Sequence, residues 1–169
     1  MSATDFVVHF DGACSLKREV GAGAAVLYDS EGTELAYRAA YVSRATHGLV
    51  TTPICEYLAL HVGLVLAAHY SPWCPSETTN VVAMGDAELI VRQVDGRYAC
   101  RKPYLLKELN DVKVLMRLFK SCRVVEFPKA GPQHKRRWGN ARADEIAGLC
   151  VKAGHDLYHV DTPVASAKP

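Results

Sequence analysis

Short apolar runs bounded by turn residues occupy 5–13, 20–29 and 34–43, and this pattern predicts three strands. Asp29-Ser30-Glu31-Gly32 supplies a tight turn between the second and third, so the three form an antiparallel meander. The period then changes. From Ile54 to Ala68 the chain is apolar nearly all round, interrupted by Glu56 and His61, which predicts a buried helix with Pro53 in its first turn and an end near His69. The two prolines in Ser71-Pro72-Trp73-Cys74-Pro75-Ser76 predict a loop that excludes helix. A strand over 80–84, a helix over Ala87–Val94 and a stop at Asp95-Gly96 follow. Leu105, Leu106, Leu109, Val112, Leu115, Met116 and Phe119 lie at core spacing in a helix predicted over Pro103–Phe119. Cys122–Phe127 reads as the last strand, Lys129–Gly139 as a loop, and a final helix runs from about Asn140 or Ala143 to Lys152.

Three strands in a meander followed by alternating helices and strands predict an α/β domain. Its mixed five-stranded sheet combines the antiparallel meander with parallel strands and carries helices on its faces. The domain is expected over residues 1–152, and residues 153–169, rich in Pro, Ala and Ser, are expected to form a flexible tail. No internal repeat is visible.

Composition narrows the class. At 169 residues, 49% apolar and 22% charged, the chain has the size and balance of one globular domain. Its longest apolar stretch, near 54–68, is broken by Glu56 and His61 and falls short of a bilayer span, and the N-terminus lacks a basic region leading into an apolar one. These features predict an intracellular protein, cytoplasmic or nuclear, with no membrane partner. Six cysteines without a C-x-x-C pair argue against a zinc site and for buried thiols in a reducing compartment.

The net charge of +2 does not announce a nucleic-acid binder, but the distribution of charge is uneven. Lys129 to Arg142 holds five Lys or Arg and no acid. Arg97 to Lys107 is also free of acids and carries Arg97, Arg101, Lys102 and Lys107 beside Tyr98 and Tyr104, a mixture suited to phosphates and to sugar or base packing. Each stretch alone reads equally well as a solvated basic loop.

Four acids stand out against the apolar pattern. Asp11 follows Phe6-Val7-Val8-His9-Phe10 at a strand exit, Asp86 lies at a strand-to-helix junction, and Asp144 precedes an apolar helical run. Capping accounts equally well for Asp86 and Asp144. It does not account for Glu56 inside an apolar helix, because glutamate is almost never buried without a partner. Carboxylates gathered at a sheet edge predict a site for a hard divalent cation, magnesium or manganese.

The motifs Phe10-Asp11-Gly12-Ala13, Gly21-Ala22-Gly23-Ala24-Ala25-Val26-Leu27, Glu56-Tyr57-Leu58-Ala59-Leu60, Gly85-Asp86 with Arg92-Gln93-Val94, and Arg137-Trp138-Gly139-Asn140-Ala141-Arg142-Ala143-Asp144 occur in one order. Together they resemble the type 1 ribonuclease H family over about residues 5–152. The resemblance implies a ribonuclease H-like fold and a metal-dependent endonuclease that hydrolyses the RNA strand of RNA/DNA hybrids with two Mg2+ or Mn2+ ions. It makes Asp11, Glu56, Asp86 and Asp144 the metal ligands, with Asp11 shared between both ions, and assigns His134 to proton handling or product release. It implies substrate contacts from the backbone amides of Gly12, Ala13 and Cys14 and from Thr52 and Gln93, with Arg137 touching phosphate or holding its loop against an acid. Asn140 is placed with the substrate-binding residues, and its own position leaves three readings open: a cap for the last helix, a support for the loop of His134, or neither. The family also implies a monomer. Where it usually has two asparagines before the helix glutamate, this chain has Thr52 and Pro53, and the chain is too short for the basic handle of the bacterial form. Two other activities fit the same residues: a nucleic-acid-binding module with little catalysis, and a related nuclease acting on double-stranded RNA.

Overall fold

The computed structural model describes residues 4–72, 75–127 and 137–160. Six strands form one sheet in the order β5-β4-β1-β2-β3-β6. The meander consists of β1 (Thr4–Ser15), β2 (Val20–Asp29) and β3 (Glu34–Ser43), paired antiparallel. β4 (Thr79–Gly85) lies parallel to β1, and β5 (Ser121–Glu126) parallel to β4. The sixth strand, β6 (Leu157–Val160), pairs antiparallel with β3, whereas the sequence predicted five strands and a flexible tail from residue 153. A four-residue segment has too little periodicity to announce a strand, and an unpaired β3 edge is what recruits it.

Helices α2 (Thr52–Tyr70), α4 (Glu88–Val94) and α5 (Pro103–Met116) cover one face of the sheet, and α6 (Arg137–Ala153) covers the other. With both faces covered, β2 is buried along nearly its whole length, so its sequence runs apolar instead of alternating. The main core joins Phe6, Val8 and Phe10 to Tyr57, Leu60 and Leu64 of α2 and to Leu105, Leu109 and Val112 of α5. A second core sets Ala22, Ala24 and Val26 against Ala143, Ile146, Ala147 and Cys150 of α6. At 19 residues α2 is long and apolar enough to match a bilayer span, longer than the sequence pattern indicated. In this fold that apolar surface is spent on the sheet and on α5.

α2 lies unusually close to the sheet. A Cβ at Gly23 would fall 2.3 Å from the Ala59 backbone nitrogen, and one at Gly12 would fall 2.7 Å from the Glu56 nitrogen. The glycine-rich β2 is therefore a seat for the helix backbone.

Two short helices escaped the sequence reading. α1 (Arg44–His47) follows β3, and α3 (Pro75–Thr78) occupies the segment where two prolines were expected to exclude helix. Proline is tolerated in a first turn, where its missing N–H has no helical partner to lose, and Pro75 opens this single turn.

Candidate metal centre

The register of β1 on β4 builds the site. Parallel pairing runs from Thr4↔Thr79 to His9↔Met84 and then stops because β4 ends at Gly85. Carried two residues further, the same register sets Asp11 opposite Asp86 at the two strand exits. β1 continues to Ser15 beside β2, so its β4-side edge is open from this level onward. The first full turn of α2 brings Glu56 to that opening. Ligand oxygens of Asp11, Glu56 and Asp86 all lie within 4.8 Å of one another.

The Gly12 amide holds this corner together, donating to Asp11 Oδ1 at 3.0 Å and to Glu56 Oε2 at 3.2 Å. Two carboxylates drawn to one N–H remain under-neutralised. Asp11 and Glu56 are each only 8% exposed. Burial, reinforced by the charges of Asp86 and Asp144, pushes the Asp11 carboxyl up to about 7. Burial together with Asp11 and Asp86 pushes Glu56 up to about 8. A divalent cation is the group that would relieve this repulsion, and all-oxygen donors on a partly open edge suit magnesium or manganese better than zinc.

α6 completes the site from the opposite face. Asn140 is 9% exposed, and its Nδ2 donates to Asp86 Oδ2 at 3.0 Å. Its Oδ1 is buried without a hydrogen-bond partner. Asp144 follows one helical turn later on the same side of α6 and acts electrostatically on both Asp11 and Glu56. It remains outside the group of three carboxylates and is exposed to solvent.

Capping, the alternative role for two of these acids, does not hold in the structure. The N-cap of α4 is Ala87, with no side-chain cap, and α6 opens at Arg137, which puts Asp144 two turns inside the helix. Asn140 for the same reason is not a cap. Its actual role, anchoring Asp86, was outside the roles proposed for it from sequence. The four-residue spacing of Asn140 and Asp144 was the available signal, because it places both on one helical face.

The remaining predicted contacts divide. Thr52 is exposed in the first turn of α2, beyond the Thr51 N-cap. It lines a cleft of ≈ 360 Å³ with Pro53, Glu56, Asp86, Glu88 and Leu89. Ala13 and Cys14 lie on the β1 extension opposite Ala22 and Gly21. The Gly12 amide is engaged by the carboxylates, so it is not open to substrate as expected. Gln93 also departs from its predicted role: it is 5% exposed, and its Oε1 accepts a hydrogen bond from Tyr57 Oη at 2.9 Å. α4 turns this face inward to seal the core under α2. His134 and the Arg137 side chain lie outside the described residues.

The acid-free stretch from Arg97 to Lys107 is partly neutralised by acids outside it. Arg97 pairs with Asp95 and approaches Glu126, and Lys107 pairs with Asp111. Arg92 ties Glu88 to Glu126 and bonds the Tyr98 hydroxyl. Arg101 and Lys102 remain as exposed cations there.

Solved structures share this architecture. RNase H1 from the halophilic archaeon Halobacterium salinarum is 21% identical, with a TM-score of 0.72 over 88% of this chain and 98% of that one. The N-terminal RNase H domain of a Mycobacterium tuberculosis protein is 23% identical, with a TM-score of 0.73 over 90% and 96%. LC11-RNase H1, isolated from compost and solved with an RNA/DNA hybrid, is 22% identical, with a TM-score of 0.67 over 88% and 97%. No curated protein matches by sequence. The model of the reverse transcriptase-like family matches residues 9–150, from the strand that carries Asp11 to the helix that carries Asp144. With the family's span covering all four acids and the sheet order, register and covering helices of a ribonuclease H around them, the chain belongs to the reverse transcriptase-like family and has the ribonuclease H fold.

Proposed function

We propose that this protein is a metal-dependent endonuclease that hydrolyses the RNA strand of RNA/DNA hybrids. The observation that carries this reading is the convergence of Asp11, Glu56 and Asp86 within 4.8 Å at an open sheet edge. That edge lies in a family match spanning the whole site. The hybrid-bound relative of the same fold supports the choice of substrate.

Asp11, Glu56 and Asp86 are the residues to hold Mg2+ or Mn2+, with Asp144 at the outer side of the same edge and two ions per site. Bound divalent cations supply water activation and charge neutralisation at the leaving oxygen of an in-line displacement at phosphorus. The chain contributes positioning. Gly12 N–H orients Asp11 and Glu56, and Asn140 Nδ2 fixes one oxygen of Asp86. The cleft of Thr52, Pro53 and Leu89 continues from the acids and seats the nucleotide beside the scissile phosphate. Exposed Arg101 and Lys102 add charge for the backbone. In this reading His134 handles protons or product release. The protein works as a monomer, and a place inside the cell is in keeping with the five free cysteines among the described residues.

The test is cleavage of labelled RNA/DNA hybrid, double-stranded RNA and single-stranded RNA in Mg2+, Mn2+ or EDTA, alongside Asp86→Asn. Cutting of the hybrid's RNA strand that requires metal and disappears in the variant is expected. A folded, cation-loaded protein that cuts none of the three would overturn the enzyme reading in favour of a binding module. Preference for double-stranded RNA would move it to the related nuclease class.

A further inference from the structure

Cys14 and Cys55 meet beside the carboxylates. Cys14 lies on β1 opposite Gly21, and a Cβ at Gly21 would fall 2.3 Å from Cys55 Sγ, so that sulfur rests on the backbone next to Cys14. Cys14 packs against the small cluster of Val42, Val50 and Cys55, and burial together with the neighbouring Cys14 thiol pushes the Cys55 thiol up to about 12. Cys55 is fully buried and Cys14 half-buried. Cys150, by contrast, donates to the His155 carbonyl on the other face of the sheet, and Cys122 lies in β5. Cys55 directly precedes Glu56, and Cys14 is three residues beyond Asp11.

We propose that Cys14 and Cys55 form an oxidation site, at which a peroxide closes an intramolecular disulfide that weakens the hold of Asp11, Glu56 and Asp86 on a divalent cation. Its second half rests on the cation site of the proposed function. The more accessible Cys14 reacts first. Its sulfur attacks one peroxide oxygen, the O–O bond breaks, and a sulfenic acid and one water result, the thiol proton leaving in that water. The Cys55 sulfur then attacks the Cys14 sulfur, the S–O bond breaks, and a second water carries away the Cys55 proton. Two thiols have lost two electrons in all, and one peroxide has been reduced to two waters.

The disulfide disturbs the site because the helix cannot yield inward. Bonded sulfurs lie about 2.05 Å apart, well inside any non-bonded contact. Cys55 already rests on the backbone at Gly12 and Gly21, where even an added Cβ would clash. The closure must therefore slide the first turn of α2 along the sheet, and Glu56 moves with it. Such a bond suits a transient response in a reducing compartment, and reduction reverses it.

The experiment treats reduced, metal-free protein with hydrogen peroxide, removes the oxidant, maps disulfides by peptide mass spectrometry and titrates Mn2+ by calorimetry. A Cys14–Cys55 linked peptide, two hydrogens lighter than the separate thiols, is expected. Mn2+ affinity should fall about tenfold, the scale of losing support around a ligand, and return with dithiothreitol. Cys14→Ser, which keeps the backbone amide, should give neither the linked peptide nor any oxidant-dependent change in its own Mn2+ affinity. Sulfinic acid at Cys14 without a linked peptide overturns the proposal, as does a linked peptide with unaltered Mn2+ affinity. A reduced protein that binds no Mn2+ overturns the cation reading and the regulatory half with it, while the linked peptide reports on the thiol pair alone.

Discussion

Asn140 spends a buried amide on one oxygen of Asp86, which fixes that carboxylate before any cation arrives. Asn140→Ala removes the donor while keeping α6 helical, and we expect Mn2+ affinity to fall about 10–100-fold with the fold intact by circular dichroism. Unchanged affinity would mean that Asp86 is held by its backbone alone. The charge state of the neighbouring acids gives a second test. Asp11 and Glu56 have folded pKa values of about 7 and about 8 against ordinary values of 3.8 and 4.5. Their protonated forms are thus favoured in the folded state, so their contribution is complete below about pH 4 and is lost as pH rises through about 7 to 8. In EDTA the melting temperature should fall between about pH 5 and pH 8, and Glu56→Gln should flatten that slope. Mg2+ should raise the melting temperature more at the higher pH, because the cation replaces the protons. A wild-type slope equal to that of Glu56→Gln would contradict the burial argument. At this scale Glu56 was legible from sequence, since a glutamate inside an apolar helix costs too much to stand there without a partner. The bonds to Gly12 and Asn140 were not, because they join residues 44 and 54 positions apart.

The contact between β2 and α2 decides where Glu56 stands. Gly23→Ala puts a methyl group 2.3 Å from the Ala59 nitrogen, and backbone cannot step aside as a flexible side chain can. We expect a loss of about 1–3 kcal/mol in urea unfolding, together with weaker Mn2+ binding as the helix lifts. Wild-type stability would show that the helix shifts freely. Most element boundaries fell within a residue or two of expectation, because strands and long helices declare their period. The exceptions were the single turns, the strand β6, the end of α5 at Met116 where Phe119 was predicted, and α6, which begins at Arg137 where a loop was predicted through Gly139. Its first turn, Arg137-Trp138-Gly139-Asn140, is helical through packing of the turns that follow, and a basic, glycine-containing segment carries no periodic signal for that.

For the molecule as a whole, β6 converts β3 from an edge strand into an interior one. Truncation after Gly154 should lower the melting temperature and promote self-association in size-exclusion chromatography, because the bared β3 edge offers unpaired N–H and C=O groups. A truncated chain that melts and elutes as before would reduce β6 to decoration. By itself the sequence determined the α/β class, the meander, the buried helix and the anomaly of Glu56 within it, because these rest on local periodicity and on the cost of placing a charge among apolar residues. Only the tertiary structure decided which acids converge. The early end of β4 opens the edge at Asp11, the in-register exits pair Asp11 with Asp86, and the close seating of α2 delivers Glu56 to both. The same packing turned Gln93 inward and brought Cys14 to Cys55. Each of these depends on long-range pairing, in which strand length and helix height set the geometry and neighbouring residues leave no trace of it.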